Sequence, residues 1–514
     1  MPTIPARLRA SAADAWIAVV DLRALLRFRV AGLRGRSRRL SAYGTGVIGL
    51  MTVLVAWLPA HLPQEMARRD DVFTLLPSAL VGILVIGVVS AAASGGGREL
   101  VPRDQAVAYP VSPTTDHLGA LVMAPLNIAW LLQAWVLLGA TAFVTGPGPG
   151  LVLSQLMLLV WLATATALSQ VVGWGLEWLR RGRRGVWSTR LVTVLAGLVA
   201  AYLVADDRLV PALEASPTTE VTIASLGAAH GLSWFYVRVL AVLLVIMLSA
   251  VVAGAWLASA VSRRPARDET RLESSAYQPR ANPGSDLLAM VRVDRVAIWR
   301  SVPLRRGLAV LAVMPGLVAI AGDLQWNMLT ILPGLVASGG ALLFGVNAWS
   351  LDGRGALWRD SLPVEPRLVF LSRCWVLVEV LLVATLGTLV MAALRAGLPS
   401  ASELAAVCAG GVVVVAQVVS ASMRWSVRRP FSVDLRSARA TPAPPLVMVG
   451  YSARLALSTT FVGIFFSVLA RVPWEWSVLC ALPLLLFSAW RLVRTANAWA
   501  DADTRCRVVA TVAS

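Results

Sequence analysis

Lysine is absent from this 514-residue chain, so all 46 of its basic residues are arginine. Codon bias toward arginine in a GC-rich genome accounts for that absence. The absence still has a chemical consequence, because a nucleotide-binding P-loop needs a lysine that reaches the β- and γ-phosphates. We therefore expect no P-loop ATPase site in this chain.

Cysteine and histidine are also scarce, and they are widely separated. The residues concerned are Cys374, Cys408, Cys480, Cys506, His61, His117 and His230. No pair has the spacing of metal ligands, so we expect neither a disulfide framework nor a zinc site. The motifs G-x-S-x-G and H-E-x-x-H are missing as well. The chain is predicted not to be an enzyme, with no catalytic residue, no metal and no bound cofactor of its own.

Charged residues make up only 14% of the chain, whereas 57% of its residues are apolar and the mean hydropathy is +0.72. Soluble domains are much more charged and less apolar. Many segments exceed the roughly 18 apolar residues that cross a bilayer. We therefore predict an all-α polytopic membrane protein. Its twelve spans are expected at about 42–61, 73–94, 118–144, 150–175, 187–206, 237–261, 307–322, 328–349, 369–394, 402–422, 446–470 and 474–495.

The arginines lie between these spans and predict the topology. With the N-terminus in the cytoplasm, the inner segments hold 38 arginines and the outer segments hold six. This asymmetry follows the positive-inside rule and places both termini in the cytoplasm. It also explains the net charge of +18 without a nucleic acid, which we do not expect as a partner. The predicted location is the plasma (inner) membrane of a bacterium.

An internal repeat is indicated by the order of features. "VVDLRALLR" precedes the first span and "VRVDRVAIWR" precedes the seventh, and each has Asp six residues before Arg. Such mixtures of apolar residues and arginine are typical of helices in the membrane interface. We predict two parallel six-span repeats, at 1–262 and 285–514, joined by a cytoplasmic linker at 263–284. The second interfacial helix is expected near 286–302.

A Pro-Val-x-Pro motif occurs once in each half, in "YPVSPTTDHLG" and "LPVEPRLVFLS". Pro110 should end one helix, and Pro113 should begin the next with Ser112 as its cap. Asp116 would then face the helix dipole favourably. Each motif leaves a short helix before it, at about 103–109 and 358–362, within the segments near 100–117 and near 351–368. Such a helix can transmit force from a cytoplasmic partner into the membrane helices.

With these elements, the chain resembles the membrane subunit of ABC-2 type transporters, most closely the fused twelve-span permeases of actinobacterial drug and antibiotic exporters. The resemblance implies an interfacial helix, two spans, a cytoplasmic coupling helix and four further spans in each half. It also implies a separate cytoplasmic ABC ATPase, expected as a homodimer, which would bind ATP and Mg²⁺. The coupling residues it implies are Arg103, Asp104, Pro110, Ser112, Pro113, Asp116, Arg359, Asp360, Pro363, Glu365 and Pro366. Glu365 replaces Ser112 in the second half, so equal coupling is not expected.

Polar side chains inside the predicted spans mark a candidate path for an amphiphilic drug, antibiotic, peptide or lipid-like cargo. They are Asn127, Gln133, Glu379 and Gln417. Glu379 is expected near mid-bilayer, where a carboxylate is a functional-site hypothesis. Alternatively it only bonds a neighbouring helix. A proton-coupled carrier that uses Glu379, or a membrane scaffold without transport, are the competing functions. In the resembled family, an outer segment such as 207–236 can form re-entrant helices.

Overall fold

The computed structural model describes residues 16–28, 35–63, 66–94, 111–126, 128–182, 185–206, 208–264, 281, 283–322, 324–343, 345–432 and 445–513. The chain divides into two compact units, Met1–Arg267 and Asp268–Ser514. The division falls inside the predicted linker 263–284. The described residues form helices and turns, with no strand among them.

The first unit consists of ten α-helices within its described part. They are α1 (16–28), α2 (Gly35–Trp57), α3 (Met66–Ser94), α4 (Pro113–Met123), α5 (Ile128–Thr145), α6 (Gly150–Arg180), α7 (Gly185–Ala205), α8 (Leu209–Glu214), α9 (Thr218–Gly227) and α10 (Trp234–Ser262). Helix α1 corresponds to the predicted interfacial helix, and its Leu22 packs against Met123 at the end of α4.

Helix α6 lies at the centre of the first unit and contacts α3, α5, α9 and α10. Polar side chains tie these apolar helices together. The indole of Trp161 donates to the carbonyl oxygen of Leu80 at 3.2 Å, and the Tyr236 hydroxyl donates to that of Leu153 at 2.9 Å. Such bonds satisfy polar groups that have no water available inside an apolar bundle.

Within the predicted outer segment 207–236, residues 208–233 form two short helices, α8 and α9, followed by a 3₁₀ turn. The Thr218 hydroxyl at the start of α9 donates to the carbonyl oxygen of Pro77 at 2.9 Å. The following turn lies against Gly150, where a Cβ atom would come within 2.3 Å of the Ala228 carbonyl oxygen. Glycine is required there because only its lack of a side chain allows so close an approach.

The second unit also consists of ten α-helices within its described part. They are α11 (Asp286–Arg300), α12 (Val302–Ala321), α13 (Trp326–Leu329), α14 (Leu332–Leu343), α15 (Ala356–Asp360), α16 (Pro366–Ala396), α17 (Ala401–Arg428), α18 (Pro445–Leu469), α19 (Trp474–Ala500) and α20 (Ala502–Ala513). A 3₁₀ stretch, Gly345–Leu351, follows α14. Helix α17 is central and contacts α14, α18 and α19.

Helix α11 matches the interfacial helix that the sequence predicts near 286–302. Ser285 caps its N-terminus, with its hydroxyl accepting from the Leu288 N–H at 3.3 Å. Its buried side chains, Met290, Val291, Asp294 and Ile298, recur at helical spacing and form one face. An aspartate in this otherwise apolar stripe requires partners on the helices packed against it.

Within the described residues, seven helices are long and apolar enough to cross a membrane. A pair bent by 41°, Trp326–Ala341 with Gly345–Leu351, counts as an eighth if it forms one span. The structure therefore describes a membrane-embedded helical protein, but it does not confirm the twelve predicted spans. Shorter apolar helices are found at Thr45–His61, Trp130–Thr145, Trp187–Val199 and Gly307–Ile320.

The surface of α10 illustrates why these helices require lipid. One stripe of it is buried: Val239, Leu243, Ala250 and Ala258. The opposite stripe is exposed and equally apolar: Val245, Leu248, Val252 and Trp256. A helix of a soluble protein presents a polar face to water. An apolar face on both sides is typical of a helix that packs against protein on one side and lipid on the other.

Candidate functional site around the two Pro-Val-x-Pro segments

The first Pro-Val-x-Pro segment begins α4 as its sequence predicts. The Ser112 hydroxyl accepts from the Thr115 N–H at 3.0 Å, Pro113 occupies the first turn, and Asp116 also lies in that turn. The cap satisfies one of the unpaired N–H groups of the helix start. Arg103, Asp104 and Pro110 lie outside the described residues.

One turn beyond this cap, His117 is completely buried. Its Nδ1 accepts from the indole N–H of Trp174 at 3.1 Å, which joins α4 to α6. The imidazole ring also lies against Gly254 of α10, where a Cβ atom would come within 2.4 Å of Cε1. His117 therefore joins three helices of the first unit. Its position in the sequence gives no indication of this role, because the glycine and the tryptophan are distant along the chain.

The second Pro-Val-x-Pro segment also breaks and restarts a helix. Helix α15 ends at Asp360, and Pro366 stands in the first turn of α16, as predicted. Glu365 occupies the cap position of α16 but makes no side-chain cap hydrogen bond. The two helix starts therefore differ: the Ser112 side chain caps α4, whereas the Glu365 side chain does not cap α16.

Behind this second segment lies a group of four buried charges, Asp294, Asp352, Arg359 and Arg373, here named the four-charge cluster. Each guanidinium contacts both carboxylates. Arg359 lies 2.9 Å from Asp352 and 3.2 Å from Asp294 Oδ2, and Arg373 lies 3.0 Å from Asp294 and 2.8 Å from Asp352. The cluster is electrically neutral, and it joins α11, α15, α16 and the turn that contains Asp352.

Further hydrogen bonds involve the groups of the cluster. The Ser372 hydroxyl donates to Asp294 Oδ2 at 3.0 Å, and Arg373 Nη1 donates to the carbonyl oxygen of Ala348 at 2.7 Å. Asp294 and Arg373 are fully buried. Buried charges of this kind persist when they are paired. The buried Nε atoms of Arg359 and Arg373 have no hydrogen-bond partner among the described residues.

Within the four-charge cluster, each charged group favours the ionised form of its oppositely charged neighbours. Burial opposes ionisation of Asp352, but the charges and hydrogen bonds of Arg373 and Arg359 outweigh that effect and hold the pKa of Asp352 below its usual range. Burial likewise disfavours the charged form of Arg359, yet Asp352 and Asp294 raise its pKa above the usual value. Both groups therefore remain ionised at neutral pH.

Helix α20, the amphipathic helix at the C-terminal end, partly covers the second Pro-Val-x-Pro segment. Val508, Val509 and Val512 of α20 are buried in the core of the second unit. Arg505 pairs with Asp360 at 3.0 Å. Between α20 and the Pro363–Pro366 turn lies a cleft of about 380 Å³.

Trp499, just before α20, fixes the start of α16. Its indole N–H donates to the carbonyl oxygen of Pro366 at 3.1 Å, and its ring stacks on that of Trp349 with centroids 3.8 Å apart. By contrast, Leu357 and Trp358 of α15 are 59% and 63% exposed. They present an apolar surface beside the cleft, whereas Arg359 on the same short helix points into the protein.

The predicted path residues lie in separate surroundings. Asn127 is outside the described residues, and Gln133 is half-buried on α5. Glu379 pairs with Arg295 of α11 at 2.7 Å, a partner that the sequence interpretation did not assign. Gln417 on α17 is half-buried, and among the described residues its buried Oε1 has no hydrogen-bond partner.

Among the residues that the structure describes, no group of His, Cys, Asp or Glu side chains could hold a metal ion. No protein-family model, curated protein or solved structure matches the chain. The role of the site therefore has to follow from its own geometry.

Proposed function

We propose that this chain is the transmembrane permease subunit of an ATP-driven exporter of the ABC-2 type, powered by a separate cytoplasmic ATPase dimer that carries ATP and Mg²⁺. The cargo class is an amphiphilic drug, antibiotic, peptide or lipid-like molecule. The observation that carries the proposal is the four-charge cluster. It joins the short helix α15 to α11 and α16, so a force applied to α15 would move two long helices instead of deforming a loop.

The exposed face of α15 supplies the contact for the partner. Leu357 and Trp358 are apolar, exposed and adjacent to one another on the segment that the cluster holds in place. An exposed tryptophan such as Trp358 is a typical anchor of a protein–protein interface. We therefore assign residues 351–368 as the second coupling segment and expect 100–117 to serve the first half.

The proposal includes twelve spans in two parallel six-span repeats. Eight spans would be the seven long helices and the bent pair, and the four shorter apolar helices coincide with the remaining predicted spans. In both units, the helix that corresponds to the fourth span of its half, α6 or α17, is the most buried of the long candidates. The arginine distribution favours both termini in the cytoplasm of a bacterium.

Recovery of the partner tests the proposal. The tagged full chain is purified from its native membranes, and co-purifying proteins are identified by mass spectrometry. We expect a Walker-type ATPase, and we expect Trp358→Glu to remove it by placing a charge in the contact. Leu398→Glu is the matched control, since Leu398 is an exposed apolar residue in the turn between α16 and α17. Recovery of the ATPase with Trp358→Glu undiminished would count against coupling through α15.

Transport in inverted membrane vesicles separates the competing functions. An ATP-driven exporter accumulates a fluorescent amphiphile with ATP and retains this activity when a protonophore collapses the proton gradient. A proton-coupled carrier would lose transport with the protonophore and with Glu379→Gln. A scaffold would show no accumulation under either condition. Either of these last two results would contradict the proposal.

A further inference from the structure

Five arginines, none of them paired with an Asp or Glu among the described residues, lie near one another at one end of the bundle formed by α17, α18 and α19. They are Arg424 and Arg428 of α17, Arg454 of α18, and Arg491 and Arg494 of α19, here named the arginine cluster. Arg424 is close enough to Arg428, Arg454 and Arg494 for their charges to repel. The same holds for Arg491 with Arg424, Arg428 and Arg454. Within the described part of the chain, no ion pair joins any of the five to an Asp or Glu.

This arrangement differs from the other groups of charges in the second unit. The four-charge cluster contains equal numbers of acidic and basic groups, and Arg295 has Glu379. In the arginine cluster, like charges repel one another and nothing among the described residues neutralises them. A preference for arginine on the cytoplasmic side explains why each helix carries the residue. It does not explain why three helices bring the five together, and a bound anion would offset their repulsion.

Buried polar groups lie beside the cluster, and some of their atoms have no hydrogen-bond partner among the described residues. Tyr451 is buried and its hydroxyl lies 2.6 Å from that of Ser422. Arg491 lies within electrostatic reach of Tyr451, and its buried Nε has no hydrogen-bond partner among the described residues. A buried guanidinium donor without an acceptor favours the binding of an oxyanion, because phosphate oxygens match the planar array of arginine N–H groups.

Aromatic rings border the arginine cluster. Arg494 lies over the ring of Trp490 at 5.0 Å and Arg491 over that of Phe487 at 5.7 Å. Trp425 lies beside Tyr451, with ring centroids 5.3 Å apart. Tryptophan is enriched at the level of lipid headgroups. The helices that carry these rings also expose apolar side chains, so the cluster is reached from the lipid side.

We propose that the arginine cluster binds the phosphate of an anionic phospholipid from the adjoining leaflet. Basic pockets between transmembrane helices on the cytoplasmic side bind the headgroups of acidic lipids. The phosphate would accept from the guanidinium groups of α17, α18 and α19 and thereby hold the three helix ends together. The acyl chains would lie along the exposed apolar faces. This inference depends only on the membrane location and not on the proposed export function.

Lipid binding to the purified full chain tests the site. The delipidated protein is titrated with phosphatidylglycerol and, separately, phosphatidylcholine, and binding is followed by native mass spectrometry. The test variant is Arg424→Gln/Arg454→Gln/Arg491→Gln. The control, Arg263→Gln/Arg300→Gln/Arg471→Gln, removes the same charge at positions outside the cluster. A basic residue near a lipid surface contributes about fivefold in affinity, so we expect phosphatidylglycerol to bind about 100-fold more weakly to the test variant.

The control variant and phosphatidylcholine distinguish a site from general attraction. We expect the control variant to keep its affinity for phosphatidylglycerol, and the unaltered chain to prefer that lipid to phosphatidylcholine. Equal losses in both variants, or equal binding of both lipids, would overturn the proposal. Addition of inorganic phosphate identifies the source of the anion. Displacement of phosphatidylglycerol by free phosphate would overturn the lipid assignment, whereas its retention supports it.

Thermal unfolding in lipid-free neutral detergent distinguishes a loss of lipid binding from a folding defect of the variant. Because the substitutions remove repulsion, the test variant should unfold at the same temperature as the unaltered chain or at a higher one. In phosphatidylglycerol, the unaltered chain should gain stability and the test variant should not. A lower unfolding temperature of the variant without lipid would show that the arginines stabilise the bundle by themselves, and the proposal would then be wrong.

Discussion

Arg373 and Asp294 are far apart in the sequence, yet their side chains meet at 3.0 Å in a part of the second unit that solvent does not reach. The pair fixes the position of α11 against the start of α16. Because Arg359 of α15 contacts the same carboxylate, the short helix between the two long ones is held by the same group. This shared carboxylate gives the second Pro-Val-x-Pro segment its rigidity.

Loss of one charge from the four-charge cluster should destabilise the second unit strongly. Among the described residues, Arg373→Met leaves Arg359 as the only cation that contacts both Asp294 and Asp352, and a broken buried pair costs about 3–5 kcal/mol. Arg295→Met is the matched control, since it breaks the pair with Glu379, which is partly exposed and should contribute about 0–1 kcal/mol. Thermal unfolding followed by tryptophan fluorescence measures both. Equal shifts of the two variants would contradict the importance of burial.

The same cluster should make the second unit sensitive to acid. The folded-state pKa of Asp352 is below its ordinary value of 3.8. Its contribution to stability is therefore complete above that ordinary value and is lost as the pH falls through the lower folded-state pKa. We expect the unfolding temperature to fall in this acid range. Asp352→Asn should be less stable at pH 7 and show a shallower acid decline, whereas Asp286→Asn should keep the decline. An unchanged slope with Asp352→Asn would refute this assignment.

Attachment of α20 should depend on its buried valines. Val512→Asp places a charge in the core beside the Pro-Val-x-Pro turn and should release α20 while the rest of the unit remains folded. Release breaks the contacts of Arg505 with Asp360 and of Arg507 with the carbonyl oxygen of Val427. Limited trypsin digestion should then cleave after these arginines at least several-fold faster. Ala510→Asp on the exposed side of α20 is the control and should leave the rate unchanged. Equal rates in the two variants would show that α20 is not held by this face.

The packing of His117 against α10 should make Gly254 sensitive to the smallest substitution. A Cβ atom there would meet the imidazole at 2.4 Å, and overpacking of this kind costs about 1–3 kcal/mol. Gly197→Ala is the control, because no atom lies within 4 Å of its added Cβ. Alanine favours a helix over glycine by about 1 kcal/mol, so the control should be neutral or stabilising. A stable Gly254→Ala variant would mean that α4 and α10 separate easily.

Much of the local structure could be predicted from the sequence. The cap at Ser112, the restart of a helix at Pro366 and the interfacial helix near 286–302 follow from side chains acting on their own backbone or from a short periodic pattern. The partners of Asp294 could not be predicted, although its place before a span was noted. Arg373 beside an apolar run was an available signal, since a charge in such a place needs a partner.

Composition alone determined that this chain is helical and resides in a membrane, because apolar segments of that length have no other stable surroundings. The arginine distribution likewise favours one orientation without reference to any contact. Only the tertiary structure decided which charges neutralise each other and which are left to repel. Arg359 and Arg424 are the same residue type near helix ends. Arg359 is enclosed by two carboxylates, whereas the charged neighbours of Arg424 are further arginines. Coulomb energy depends on distances in space, and those are set by how the helices pack.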